Sequence, residues 1–561
     1  MLAASPSGDA PSWATRLKSD ALAGFLVFLI ALPLCLAIAK ASGFPEIAGV
    51  FTAIVGGFVT PWISNSQLTI KGPAAGLIVI VLGAVTDFGF TPNPQSAAEV
   101  AGNLAAYKMA LAVGVAAAVV QILFGLFKAG VLGDFFPSSA VHGLLAAIGL
   151  IIIAKQVPVA LGVSAKGEPL ELLAKIPEEI LHMNPEIAAI GGSSLLILFL
   201  FPLIKNRAVR AIPAPIIVLA AAVPLAMLFD LSHEHDYTLF GHHYTVSKSY
   251  LVNVPASLAS AITGPDFTAL AKPIAWKWVA MFALIGSLES MLSAKAIDIL
   301  DPQHRKTNLN RDILAIGVAN LASALIGGLP MISEIVRSRA NIDNGAKTKY
   351  ANLFHGLFLL VAVAACAALI RLIPLAALAA MLVYTGFRLA HPREFLHVYK
   401  IGREQLVVFV GTIVAVLATD LLIGITIGIG IELLIQFMNG VPLGSLFKSA
   451  AEVRQLDEQT WLIAPRDAAI FLNWIPIRSR IERCGLAQNM NVIVDLSNTR
   501  LVDHTVMERL HELEREFTQR GIALAVVGLD RHVALSHHPA AARLRGVHRE
   551  VQEGASELAK H

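Results

Sequence analysis

The sequence predicts a polytopic α-helical membrane protein that carries a small α/β domain towards its C-terminal end. Three observations lead there. Hydrophobic residues make up 56% of the 561 and charged ones only 15%, with positive mean hydropathy, a balance soluble enzymes seldom show. Apolar runs long enough to cross a hydrocarbon layer recur as far as Met438. After Met438 the composition turns polar, and strand-like and helix-like stretches alternate.

Taken in order, the lead 1–17 is polar and has no signal-peptide core, so the first apolar run is expected to be retained as a span. Fourteen segments follow, approximately 20–40, 46–63, 73–86, 106–128, 132–155, 186–204, 210–229, 276–298, 311–326, 330–343, 349–371, 374–390, 404–419 and 421–438. Basic residues mark short loops that stay on the cytoplasmic side: Arg16 and Lys18, Lys205 with Arg207 and Arg210, Arg305 with Lys306 and Arg311, and Arg388 to Arg403. With that count both termini are cytoplasmic, the membrane is the inner (plasma) membrane, and the loop 230–273 lies outside. This loop holds His233, His235, His242 and His243; a flexible, solvated, His-rich loop is the reading preferred, and no metal is assigned.

A linker over 440–452 leads into the domain 453–561. There WLIAP, AAIFLNW, NVIVDLS and IALAVVGL read as strands, and IPIRSRIERCG and HTVMERLHELEREFTQRG as helices. The net charge of +3 gives no case for nucleic acid. Cys35, Cys366 and Cys484 are too scattered for a disulfide framework or thiolate metal site.

The stretch that carries chemistry runs from Gly286 to Arg337. Glu289 and Glu334 lie in segments apolar enough for lipid, where a charge is expensive and by default belongs to a solute pathway. GGLP at Gly327 to Pro330 predicts a helix beginning inside the membrane, with Pro330 in its first turn and the N–H groups of Met331, Ile332 and Ser333 pointing inward. Lys71-Gly72-Pro73-Ala74-Ala75-Gly76 repeats the punctuation. Pro73 and Pro330 fall at matching offsets, roughly 53 residues into two halves, and paired interruptions of this kind indicate a transporter site near the bilayer midplane.

ALPLCLAIAKASGFPEIAGVFTAIVGG, KGPAAG, SLESMLSAKAID, IGVANLASALIGGLP and NGAKT resemble, in that order, the membrane domain of the SulP anion permeases, the family that includes the solute carrier 26 proteins. VIVDLSNTRLVDHTVMERL resembles the strand, loop and helix of a STAS domain, which that family carries in the same place. The resemblance covers about residues 15–550. It implies a SulP-like transport domain over 18–439 with a 7+7 inverted repeat divided into core and gate domains, elevator-like alternating access and a homodimer. It also implies a small anion as substrate, of the sulfate or bicarbonate class, and no enzymatic activity.

By position, the resemblance sets the anion between Lys71, Gly72, Pro73, Ala74 and Ala75 on one side and Ile332, Ser333, Glu334 and Arg337 on the other. It makes Glu289 with Ser293 the cation-coupling site, for H+ or Na+, with Glu334 a second titrating group. No cofactor is implied. Lys71 and Glu334 depart from the small or hydroxylated residues many relatives have. They either pair across the site or serve separately, Lys71 attracting the anion and Glu334 titrating.

Asp503-His504-Thr505 stands where anti-sigma antagonists carry a phosphorylated hydroxyl; Thr505 is a candidate phosphosite, and an N-cap explains the triplet equally well. A cytoplasmic partner of the STAS domain is a further expectation. Rival readings are an uncoupled anion channel, a proton-coupled organic acid or nucleobase symporter, and a membrane-anchored STAS signalling protein.

Overall fold

The computed structural model describes residues 13–545 apart from 93, 95, 165–166, 207–211, 240–241, 256–257, 304, 443 and 445–450. Most of the expected lead and linker, and Arg207 and Arg210, therefore lie outside the described residues. The chain forms two compact units, one of residues 1–130 and 148–389, the other of 131–147 and 390–561.

In the first unit the apolar runs fold as helices: α1 (Trp13–Ala41), α2 (Glu46–Ile63), α3 (Ile78–Asp87), α4 (Ala97–Leu126), the later part of α5 (Ser138–Leu161), an amphipathic α6 (Pro169–Leu181), α7 (Pro185–Leu200) and α8 (Ala214–Leu228). They continue as α9 (Pro273–Leu300), α10 (Leu309–Leu325), α11 (Ile335–Asp343), α12 (Tyr350–Ala365) and α13 (Leu375–Leu389). The second unit adds α14 (Pro392–Ile401), α15 (Arg403–Ala418) and α16 (Leu421–Met438). Among the described residues seven helices are long and apolar enough to cross a membrane, α1, α2, α4, α5, α7 with its short extension, α9 and α16. Others, such as α3, α8 and α12, are apolar but shorter.

Two strands interrupt this helical pattern in the first unit, β1 (Ile70–Pro73) just before α3 and β4 (Met331–Glu334) just before α11. The loop expected to be flexible instead contains a hairpin, β2 (His235–Leu239) paired with β3 (His242–Val246). Tyr237 and Tyr244 stack across it at 5.3 Å, the kind of cross-strand aromatic pair that stabilises such ribbons. The NGAKT element is held by the buried carboxylate of Asp20, which accepts from the N–H groups of Lys347 (2.6 Å) and Thr348 (3.0 Å) and from the Thr348 hydroxyl.

In the second unit the C-terminal region is α/β. Strands β5 (Ala451–Asp457), β6 (Thr460–Pro465), β8 (Asn491–Asp495) and β10 (Leu524–Val527) form one sheet in the order β10-β8-β6-β5, its first three parallel. β7 (Asp467–Ala469), β9 (Thr499–Val502), β11 (His532–Ala534) and β12 (Arg543–Arg545) form another. Helices α17 (Trp474–Ile481) and α18 (His504–Gln519) bury Trp474, Ile477, Leu510, Leu513 and Phe517 against Val492 and Val494. The helical period of the apolar residues on α18 places that face on the sheet.

Asp503 starts α18 by accepting the Val506 N–H (2.8 Å), and its other oxygen takes the Phe471 N–H (2.6 Å) and the Gln436 amide of α16 (3.0 Å). Beside it Thr505 is buried, and its hydroxyl accepts the Ser138 N–H at 3.1 Å. Burial lifts the Asp503 carboxyl from the ordinary 3.8 to about 6 although three donors pull the other way. A raised carboxyl pKa means that its contribution to stability is whole below about pH 4 and is lost as pH rises through about 6, by roughly 3 kcal/mol. The destabilisation caused by D503A should therefore be larger at pH 4.5 than at pH 7.5, as read in thermal melts of the purified full-length protein.

Candidate functional site

β1 and β4 pair antiparallel, with Ile70 opposite Glu334, Lys71 opposite Ser333, Gly72 opposite Ile332 and Pro73 opposite Met331. One helical arm, a 3₁₀ turn over Ala75–Leu77 continuing into α3, leaves the ribbon at one end. The other, α11, leaves at the opposite end. Both breaks are thus extended before they become helical. This corrects the expectation for Pro330, which precedes β4 and lies outside the first turn of α11.

Inside a membrane protein each of these peptide groups needs a partner, and side chains of α2, α9, α10 and α12 supply many. Asn320 on α10 imitates a third strand, its Oδ1 accepting the Met331 N–H (2.6 Å) and its Nδ2 donating to the Met331 carbonyl (3.2 Å). Ser290 on α9 accepts the Ser333 N–H at 3.0 Å. The Lys71 N–H goes to Asn352 Oδ1 on α12 (3.3 Å), and the Ile70 N–H to Ser338 Oγ (2.8 Å). Thr52 on α2 accepts the Leu329 N–H at 2.7 Å. Ahead of it the chain turns at Gly327, whose φ of +99° suits glycine. The inward-pointing N–H groups expected of Met331 and Ser333 are consequently already taken.

Lys71 has a different task from the one its position suggested. Its ammonium donates to both oxygens of Asp312 (2.7 and 3.0 Å) and to Ser333 Oγ (2.5 Å). An ammonium has three protons, and all three are used. Asp312, in the first turn of α10, also accepts from Ser64 Oγ at 2.5 Å. Lys71 and Asp312 are almost completely buried, so this is a clip fastening the ribbon to α10, and Glu334 is not the lysine's partner.

The remaining charges gather where α3 begins. Glu289 of α9 is half-buried with its carboxylate against Gly76, where any Cβ would collide with it. Its Oε2 has no hydrogen-bond partner. Glu334 is half-buried as the N-cap residue of α11 but makes no capping bond there. Its carboxylate lies near the Arg337 guanidinium and the Ala75 backbone. The two carboxylates are close enough to repel. Arg337, 1% exposed, donates through Nη2 to the Pro73 carbonyl (3.1 Å), and its Nη1 lies beside Gly72. Its Nε and Nη1 lack hydrogen-bond partners.

Ser293 is buried on α9, one turn beyond Glu289. Cys35 and His355 flank Arg337, the imidazole fully buried with neither nitrogen bonded. The structure thus gathers Ala75, Glu289, Glu334 and Arg337 at one place and assigns Lys71 to the scaffold. Sequence reasoning missed Asp312, Asn320, Asn352 and Ser290. Asp312 was the findable one, an acid inside an apolar segment like Glu289, hidden because first-turn acids commonly serve the helix dipole.

The profile of the Sulfate permease family matches residues 17–412. The chain belongs to that family. This sulfate permease relative is therefore a multi-pass membrane protein of a permease family and not one of enzymes. It is 23% identical over 415 residues to the bicarbonate transporter BicA of Picosynechococcus sp., covering 74% of this chain and 69% of that one. Its fold is similar to the transmembrane domain of a cyanobacterial bicarbonate transporter BicA, with TM-score 0.59, 22% identity and coverage of 74% and 98%. It is also similar to murine solute carrier 26 family member A9, an anion transporter in the inward-facing state, with TM-score 0.63, 14% identity and coverage of 99% and 92%.

The clip makes a prediction for this permease. Removing one member leaves a buried unpaired charge, so K71A or D312A should each lose about 3–5 kcal/mol of stability, while the apolar pair K71M/D312L should recover most of it. Thermal melts of the detergent-purified variants measure both.

Proposed function

We propose that this chain is a secondary active transporter of a small inorganic anion of the sulfate or bicarbonate class, coupled to H+ or Na+ and working by elevator-like alternating access. One observation carries the reading: two helix starts meet through an antiparallel ribbon, and the ionisable Glu289 side chain stands against the first of them with an oxygen unpartnered. Helix starts attract anions. An unpartnered carboxylate at membrane depth suits a coupling cation or proton. The transporters it resembles, one of bicarbonate and one of anions, fit the same substrate class.

In this proposal Ala74, Ala75 and the backbone around Ile332 frame the anion, and Arg337 supplies the positive field. Glu289, with Ser293 one turn along, takes the coupling ion. The protein would work as a homodimer in the plasma membrane with both termini cytoplasmic, its C-terminal α/β region acting as a STAS domain open to a cytoplasmic partner. Carboxylates at both breaks favour a second reading, proton symport of an organic acid or nucleobase.

Proteoliposome uptake of radiolabelled sulfate, bicarbonate, succinate and uracil, with proton and sodium gradients varied separately, separates these readings. Saturable uptake of one inorganic anion stimulated by one gradient is the expected result. E289Q should fold, as judged by its thermal melt, and lose gradient-driven accumulation, a coupling of about 1–3 kcal/mol or 5–150-fold. Undiminished coupling in that variant would remove Glu289 from the role.

A further inference from the structure

We infer that Gly72 and Gly76 are positioning residues, each without a side chain so that a charged group from another helix can stand directly on the backbone of the first break. The Arg337 guanidinium of α11 stands on Gly72, and the Glu289 carboxylate of α9 stands on Gly76. The inference rests on the transport reading above, in which these two groups supply the positive field and the coupling site. A Cβ at Gly72 would collide with Arg337 Nη1, and one at Gly76 would collide with Glu289 Oε1 and come within 2.6 Å of its Cδ and Oε2.

Neither glycine is required by the backbone. Gly72 lies in the extended β1 and Gly76 in the 3₁₀ turn Ala75–Leu77, and neither has the positive φ of Gly327. In such places glycine is less stable than alanine, because it gives up more conformational freedom on folding. What the two positions share is the head group above them. At Gly72 the next atom outside Arg337 is Ala53 Cβ, at an ordinary contact distance of 3.7 Å, and at Gly76 the three nearest atoms all belong to the Glu289 carboxyl group. Glycines that serve helix packing look different: a Cβ at Gly49 would meet the Cys35 carbonyl, and one at Gly83 the Trp278 ring.

Hydrogen bonds alone do not fix either head group. Arg337 is 1% exposed and is held through Nη2 by the Pro73 carbonyl (3.1 Å), while its Nε and Nη1 lack partners, as does Glu289 Oε2. Their places are therefore set largely by how closely they can approach the chain beneath them. Pro73, Ala74 and Ala75 run between the two glycines, so a cation from α11 and a carboxylate from α9 bracket the segment that frames the anion in the proposed reading. Bare Cα atoms at the two ends hold the opposite charges apart and against the backbone. A methyl group at either end displaces one head group, and with it one property: anion affinity at Gly72, coupling at Gly76.

The test adds one methyl group at each glycine and reads which property moves. The obstructing atoms end flexible side chains, so G72A and G76A should fold, with thermal melts near that of the wild type. In proteoliposomes G72A should raise KM for the transported anion by about tenfold, the equivalent of one charge-assisted hydrogen bond. G76A should cut gradient-driven accumulation by at least about fivefold. Combining G76A with E289D, whose acid is one methylene shorter, should restore part of that coupling. A readout without turnover comes from removing the head groups: with R337A or E289A in place the added methyl meets no obstruction, so G72A/R337A and G76A/E289A should each melt higher than the parent R337A or E289A, as glycine-to-alanine changes do at compatible φ and ψ. Wild-type KM in G72A, or full coupling in G76A, would overturn the role of that glycine. A double variant that melts below its parent would overturn it too, because packing would then be what excludes the methyl group. If the wild type shows no saturable uptake, the transport reading fails, and the melting comparison still decides the positioning role.

Discussion

The pairing of Ile70–Pro73 with Met331–Glu334 is the constraint on which the rest of the first unit depends. A helix satisfies its own peptide groups, so a break inside the apolar interior exposes N–H and C=O groups that lipid cannot serve. Two breaks laid side by side serve each other, and the remaining demand explains an otherwise puzzling set of polar residues. Thr52, Ser290, Asn320 and Asn352 stand on four different helices and bond to the backbone of the ribbon or its approach. Their polarity belongs to the scaffold, although in sequence they are indistinguishable from residues that line a pathway.

Charge is divided in the same way. Lys71 and Asp312 neutralise each other within the scaffold, and what remains at the start of α3 is one guanidinium and two carboxylates. With both acids ionised this group carries a formal charge of −1, which opposes an incoming anion in a medium of low dielectric. On the proposed reading, loading an anion therefore requires a proton or cation on at least one carboxylate. Coupling follows from that balance without a separate device. Glu289 and Glu334 differ in their surroundings: Glu289 has an oxygen without a hydrogen-bond partner, whereas Glu334 lies in the field of the Arg337 guanidinium.

Hydropathy made most of this fold legible, because a run such as Leu421 to Met438 reads as a buried or lipid-facing helix. The glycine-proline punctuation correctly marked both breaks. It did not reveal that strand precedes helix, since the four residues of β4, Met-Ile-Ser-Glu, have no periodicity to separate them from a first helical turn. The pairing that fixes them is separated by some 260 residues of sequence. Lys71 was misleading for the same reason: its partner Asp312 is distant, and a lysine beside a helix start resembles an anion ligand until its three protons are found to be spoken for. The hairpin Tyr237–Tyr244 was hidden by a histidine-rich composition whose alternation went unread.

The second unit joins helical and α/β parts by the same economy of donors. Gln436 of α16 donates one amide group to Glu432 (3.2 Å) and to Asp503 (3.0 Å), while Asp503 also begins α18. Ser138, at the start of α5, donates its hydroxyl to Glu508 (2.7 Å), and Arg509 donates to the Phe136 carbonyl (3.1 Å). Thr505 lies inside this seam, with its hydroxyl accepting from Ser138. A phosphate there would place two negative charges beside Asp503 and Glu508 with no room for its oxygens, so modification at Thr505 requires the seam to open first. The residue at the motif position is thereby tied to the attachment of α18.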